Sequence, residues 1–136
     1  MRLLLLLSLP LMLASSGIRS DHPIIGTWTH TLPNQCAEVY TFRPDGTDRV
    51  TANEEISAGH YEITDKPNAD DFYVLTDTIM ENNGKKDCMG ATMTIGDKAT
   101  TYVRFNKDAD QMLICYEPSL ARCFGPLRRL GVKDST

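Results

Sequence analysis

Phe42-Arg43-Pro44-Asp45-Gly46-Thr47 joins two stretches that are rich in aromatic and β-branched residues. Proline presets the backbone angle at the first position of a tight turn, and glycine accepts a positive φ at the last. Before the turn, Tyr40 and Phe42 share one face of an extended chain, because side chains alternate along a strand. The segment therefore predicts a hairpin of two antiparallel strands, residues 35–43 and 47–52.

The same pattern continues along most of the chain. Short stretches of Val, Ile, Thr, Tyr and Phe are separated by turn residues at intervals of about ten residues, which is typical of all-β proteins. Asn83-Gly84 predicts a second hairpin, and Gly96-Asp97 predicts a two-residue turn. The predicted strands are residues 25–31, 35–43, 47–52, 59–64, 71–80, 86–95, 99–106 and 111–117.

Short connections between these strands predict an antiparallel, up-and-down meander. Closing a meander into a barrel removes the exposed edges that would otherwise pair with other chains. An all-β barrel of about eight strands is therefore the expected fold. A sandwich of two sheets stays open as an alternative, because counting strands does not distinguish the two architectures.

The first residues have the pattern of a secretory signal peptide. Arg2 precedes an apolar run over residues 3–13, and small residues follow at 14–17. The run is about half the length that a transmembrane helix needs, and no later hydrophobic stretch replaces it. We expect a leader over 1–20, cleaved after Ser16 or Ser20, a barrel over 21–130 and a polar tail over 131–136. The mature protein is then periplasmic or secreted, with no integral membrane segment.

The charge balance argues against a nucleic-acid partner. The 136 residues include 14 Lys and Arg against 18 Asp and Glu, a formal net charge of -4. A protein that binds nucleic acid neutralises phosphates with basic side chains. Removal of a leader containing Arg2 and Arg19 would make the charge more negative still.

Four cysteines, Cys36, Cys88, Cys115 and Cys123, predict two disulfide bonds in an exported domain. None of them is spaced like the close pairs of a zinc site, and no metal is expected. Cys36 and Cys88 lie near the starts of the second and sixth predicted strands, which a meander places at the same end of the barrel. We therefore predict Cys36–Cys88 at one end and Cys115–Cys123 at the other.

The sequence does not favour an enzyme or a cofactor. It has no nucleophile-elbow serine, no glycine-rich phosphate loop and no metalloprotease histidine pair. Asn106, Asp108 and Asp110 resemble part of a calcium loop, but the glycine and the closing glutamate of such a loop are missing.

The start of the barrel resembles a known family. Gly26-Thr27-Trp28 is similar to the glycine, any residue, tryptophan signature of lipocalins and their small bacterial lipocalin-like relatives, and the turn after Phe42 is similar as well. The resemblance implies that Trp28 closes one end of the barrel by packing on an arginine, for which Arg122 and Arg128 are the candidates. It also implies a small, often apolar ligand in the barrel. The polar end of this chain leaves no room for the C-terminal helix of full-length lipocalins.

Two classes of function stay open. The first is binding of a small apolar or amphipathic ligand, and the second is binding of a protein partner, as an inhibitor or immunity protein does. Under the first reading, aromatic side chains are the candidates to line the cavity: Tyr40, Phe42, Tyr61, Tyr73 and Tyr102.

Overall fold

The computed structural model describes residues 17–131. The proposed signal peptide lies mostly outside these residues, as does nearly all of the predicted polar tail. The eight strands are β1 (Gly26–Thr31), β2 (Ala37–Phe42), β3 (Thr47–Ala52), β4 (Glu55–Ile63), β5 (Tyr73–Asn82), β6 (Lys98–Phe105), β7 (Gln111–Cys115) and β8 (Cys123–Arg129).

The strands form a closed, antiparallel, up-and-down barrel. Each strand pairs with the next along the chain, and β8 pairs back with β1 through Trp28↔Arg129 and Thr29↔Arg128. The barrel prediction is therefore confirmed, and the two-sheet sandwich is excluded. Residues 17–131 contain no helix, in agreement with the all-β prediction.

The strand predicted over residues 86–95 is wrong, because this segment belongs to a long loop between β5 and β6. We call residues 83–97 the β5–β6 loop. Its polar side chains bond to its own backbone: the Asp87 carboxylate accepts from the backbone N–H groups of Met89 and Ala91. Such local bonds replace the ladder of a strand, so Asn83-Gly84 starts a loop instead of a hairpin.

The eighth strand of the barrel is Cys123–Arg129, a segment inside the predicted barrel to which the sequence analysis assigned no strand. Its central Gly125 and Pro126 are unusual in a strand, and their register with β7 shifts between Met112 and Ile114. Proline in a sheet is confined to edges and to such irregularities, because it has no N–H to donate. The prediction missed β8 because the residues that break its alternation sit at this irregularity.

Strand β4 begins at Glu55, four residues earlier than predicted. Glu55 and Ser57 are 3% and 7% exposed, and both face the interior of the barrel. Polar residues at buried strand positions do not show apolar–polar alternation, so this segment was predicted as a loop.

The apolar core fills one end of the barrel. Trp28, Ile24, Val103 and Leu127 are completely buried, and the buried cluster also contains Phe42, Tyr61, Leu75, Met112 and Ile114. Ile18 and Ile25, which precede β1, pack against this cluster and cover that end. We call it the closed end; the loops after β1, β3, β5 and β7 surround the other, open end.

Two disulfide bonds join Cys36 to Cys88 and Cys115 to Cys123, which confirms the predicted pairing. Their predicted placement at opposite ends is wrong. Cys115 ends β7, not the last strand, so both bonds lie at the open end. Two disulfides are compatible with an extracellular or other oxidising compartment. Within residues 17–131, no helix has the length and apolar character needed to span a bilayer.

Candidate functional site

The closed end is built around Trp28, whose side chain is fully buried. Its indole N–H donates to the carbonyl of Ile24 at 2.9 Å, so the buried donor is satisfied. The Arg129 guanidinium lies over the ring, 4.2 Å from its centroid. This stack of cation and ring seals the floor of the barrel.

The arginine over Trp28 is Arg129, and neither Arg122 nor Arg128 takes that place. Arg128 is exposed, because neighbouring residues of a strand point to opposite sides. Arg122 stacks on Tyr116 at the open end, 5.4 Å from the ring centroid. Arg129 also donates to three backbone carbonyls, those of Ala109 at 3.0 Å, Ile25 at 2.6 Å and Pro23.

The open end contains a cavity of about 490 Å³, the candidate functional site. We call it the open-end cavity. Its volume is within the range of small-molecule sites. Its walls come from seven strands and from the loops that surround the opening: His30, Leu32, Glu38, Tyr40, Val50, Ala52, Glu55, Ser57, Asp77, Ile79, Asp87, Met89, Met93, Ala99, Tyr116 and Phe124.

Two glutamates, Glu38 on β2 and Glu55 on β4, face this cavity on either side of Ala52 on β3. The Tyr40 hydroxyl donates to Glu38 Oε2 at 2.7 Å, and burial together with this carboxylate raises the pKa of Tyr40. Glu55 accepts from the Asn82 side-chain amide at 3.3 Å. Burial raises the pKa of Glu55, because removal from water disfavours its charged form.

Two aspartates meet at the base of the cavity. Asp48 and Asp77 point into the barrel on either side of Gly59, where a Cβ would lie 3.1 Å from Asp48 Oδ1 and only 2.2 Å from the Thr78 carbonyl oxygen. Burial and the neighbouring Asp77 raise the pKa of Asp48 to about 7, and burial raises that of Asp77. The two carboxyl groups share a side-chain hydrogen bond with the proton on Asp48, and their Oδ1 atoms are buried without any other partner among the described residues.

The mouth of the cavity is apolar and exposed. Met89 and Met93 reach it from the β5–β6 loop, with 75% and 45% of their surfaces accessible. Tyr116, in the loop after β7, packs on Phe124 of β8 with ring centroids 5.9 Å apart. The Cys36–Cys88 bond ties the β5–β6 loop to the start of β2 and so fixes this side of the mouth.

Of the five aromatic residues that the sequence analysis proposed as cavity lining, the structure places one in the open-end cavity. Tyr40 lines the open-end cavity. Phe42 and Tyr61 belong to the apolar core, with ring centroids 5.0 Å apart, and Tyr73 packs against that core. Tyr102 lies on the outer face of β6, because its neighbour Val103 is the buried residue.

Sequence reasoning missed the carboxylates of the cavity. Glu38 shares a face with Tyr40 and Phe42 in the sequence, and this alternation was the one signal that could have placed it inside. Glu55 was interpreted as an exposed charge of a loop, and Asp77 was not singled out, because acidic residues usually face solvent.

A second depression, of about 500 Å³, lies on the wall of the barrel near β6 and β7. Arg104, Leu113 and Leu120 contribute to it. It is a surface cleft outside the lumen and brings together no set of titratable groups.

Comparison of the chain with protein-family models, with curated proteins and with solved structures found no match. The eight-stranded closed barrel is consistent with a lipocalin-like fold. A fold of this kind does not define a ligand, so the function is argued from the cavity.

Proposed function

We propose that this protein is an exported, lipocalin-like barrel that binds a small amphipathic molecule in the open-end cavity. The observation that supports the proposal most is the division of the lumen into a filled apolar floor and a wide, lined cavity of about 490 Å³. Small barrels that serve only as scaffolds fill their interior with side chains. Here the apolar side chains of the buried core fill the closed end and leave a cavity at the other end.

The lining supports an amphipathic ligand. Val50, Ile79 and Phe124 offer apolar surface, whereas Tyr40 and Ser57 offer hydroxyl groups. Ligand sites commonly combine an apolar wall with a few polar groups that fix the orientation of the ligand. The Trp28–Arg129 stack supports the lipocalin-like part of the proposal, since the family resemblance implies an arginine over this tryptophan.

A pair of matched variants tests the proposal with a neutral, environment-sensitive dye such as N-phenylnaphthylamine. Ala99 lines the cavity, and Thr100 is the next residue and faces outward from the same strand. Ala99→Trp fills the cavity and should weaken dye binding at least about tenfold, which is 1.4 kcal/mol. Thr100→Trp should bind like the unaltered protein. Absence of dye binding to the unaltered protein, or equal effects of both variants, would exclude the cavity as the binding site.

Binding of a protein partner is the second candidate, favoured by the exposed apolar side chains at the open end. Met89, Ile95 and Leu120 are each more than half exposed, and methionine-rich surfaces adapt to partners. Native mass spectrometry of protein recovered from its own compartment distinguishes the two. A retained small molecule supports the first proposal, and a stoichiometric protein partner supports the second.

A further inference from the structure

The charges of the open-end cavity are of one sign. Glu38, Glu55 and Asp77 line it from three strands, and Asp87 lines it from the β5–β6 loop. No lysine or arginine of the described residues lines it, and His30 is its one basic side chain. A ligand in this cavity therefore meets a negative potential, which low-dielectric walls concentrate.

The carboxylates are not neutralised by the described part of the chain. The one ion pair within residues 17–131 joins Arg19 to Asp21, outside the cavity. Glu38 and Glu55 accept hydrogen bonds only from neutral groups, Tyr40 and Asn82. Buried carboxylates are normally paired with a cation or protonated, because an isolated buried charge is costly.

A separate feature at the base of the cavity also calls for a positive partner. Asp48 is 4% exposed, lies on the lumen side of β3 and shares a side-chain hydrogen bond with Asp77, with the proton on Asp48. Asp77 lines the cavity directly and is the carboxylate of the pair, and no other group of the described residues bonds to its Oδ1 atom. A buried carboxylate without a cation carries a penalty of desolvation. A cationic donor above Asp77 would remove part of this penalty.

The rest of the cavity suits an organic cation better than a bare metal ion. Residues 17–131 contain no group of three or more His, Cys, Asp or Glu side chains arranged to hold a metal. Tyr40, Tyr116 and Phe124 supply aromatic faces, which attract alkylammonium groups. Met89 and Met93 supply apolar surface at the mouth for a chain or a ring.

We propose that the open-end cavity selects an organic cation, an ammonium group attached to an apolar chain or ring, over neutral and anionic molecules of the same size. The inference rests on the proposed function, since it names the ligand class of the same cavity. The ammonium group lies above Asp77 at the base of the cavity, and the apolar part extends toward the methionines of the mouth. Glu38 and Glu55 form one row across β2, β3 and β4 nearer the mouth and add to the negative potential.

The test compares three probes with one alkyl chain: decyltrimethylammonium, decanol and decyl sulfate. Each displaces the neutral dye from the full chain, with its two disulfides intact, at about pH 8.5, which is above the pKa of about 7 to which Asp48 is raised. We expect decyltrimethylammonium to bind at least about tenfold more tightly than decyl sulfate, with decanol between them. Equal or tighter binding of decyl sulfate or decanol would overturn the inference but leave the proposed function standing. Failure of the dye itself to bind would overturn both.

Two double variants test whether the preference for the cation arises from the charges of the cavity. The double variant Asp77→Asn and Glu55→Gln removes two cavity charges, whereas Glu62→Gln with Asp108→Asn removes two exposed charges. Only the first should reduce the preference for the cation, by at least about fivefold.

Adding a positive charge at an exposed position tests the inference without changing a buried residue. Ala99 and Thr100 are both exposed, and only Ala99 lines the cavity. Ala99→Lys should weaken binding of decyltrimethylammonium, and Thr100→Lys should not. If both lysine variants weaken binding equally, the preference comes from the overall charge of the protein, and the inference is wrong.

Discussion

Arg129 is the residue on which the closed end depends most. Its guanidinium stacks on Trp28 and donates to three backbone carbonyls, and a lysine ammonium cannot reproduce this planar arrangement. We expect Arg129→Lys to lower the free energy of unfolding by about 2 to 3 kcal/mol, because buried carbonyls lose their donors. Arg128→Lys changes an exposed neighbour and should stay within about 0.5 kcal/mol. Urea unfolding followed by Trp28 fluorescence measures both; equal losses would show that the stack contributes nothing specific.

Asp48 should make the stability of the barrel depend on pH. Its folded-state pKa is raised to about 7 from an ordinary 3.8, so the folded protein binds more protons than the unfolded chain between these values. The free energy of unfolding contributed by Asp48 is therefore full below about pH 4 and is lost as the pH rises toward 7. The charged and titratable groups near it are Asp77, Tyr61 and Arg43.

Asp48→Asn should remove this dependence. We expect the variant to be more stable than the unaltered protein by about 1 to 3 kcal/mol near pH 8, and the difference to vanish near pH 4. Urea unfolding across this pH range measures it, with the exposed Asp108→Asn as the control for loss of one charge. A difference in the free energy of unfolding that is the same at all pH values would contradict a raised pKa of Asp48 in the folded protein.

At the scale of elements, the two disulfides differ in the length of chain that they close. Cys36–Cys88 spans 52 residues and Cys115–Cys123 spans 8. If a cross-link acts by restricting the unfolded chain, the longer loop contributes about 4 kcal/mol and the shorter about 2.5 kcal/mol. Replacing both cysteines of a pair by alanine should therefore destabilise the protein more at Cys36–Cys88. Chemical unfolding of the two double variants measures the difference, and the reverse order would point to strain in the folded state.

The Cys36–Cys88 bond has a second consequence for the β5–β6 loop. Asn34 also bonds to this loop, donating to the Cys88 carbonyl at 3.0 Å, so the bond and the amide together hold one wall of the open-end cavity. The sequence indicated the pairing through the meander but mistook the loop for a strand. Pairing two cysteines needs only that their segments lie at one end of the barrel, and this condition holds for a loop as well as for a strand.

At the scale of the whole molecule, the seam between β1 and β8 is the shortest part of the sheet. It is paired through Trp28 and Thr29, whereas β4 pairs with β5 from Ser57 to Ile63. Opening the seam leaves the other strand pairs intact, so it should require less free energy than global unfolding. We expect the Leu130 amide, which donates to Thr27 at 2.8 Å, to exchange at least about tenfold faster than amides central to β4. Amide hydrogen exchange measures this, and uniform protection would mean that the barrel opens only as a unit.

Features that depend on neighbouring residues could be predicted from the sequence. The turn at Pro44 and Gly46, the alternation along β2 and the all-β class follow from backbone preferences and strand periodicity, which act over a few residues. The predicted order and direction of the strands also limited which cysteines could pair. Such local information left two classes of function open, binding of a small molecule and binding of a protein partner.

Which polar residues lie inside the barrel could not be predicted from the sequence. Glu55, Asp77 and Asp48 look like ordinary surface residues along the chain, and β8 is broken by Gly125 and Pro126. They take their places because β8 pairs with β1, more than ninety residues away in sequence, and closes the sheet around them. A single strand has no interior, and closure of the sheet creates one. The acidic lining of the cavity and the stacking of Arg129, instead of Arg128, on Trp28 therefore depend on the complete barrel.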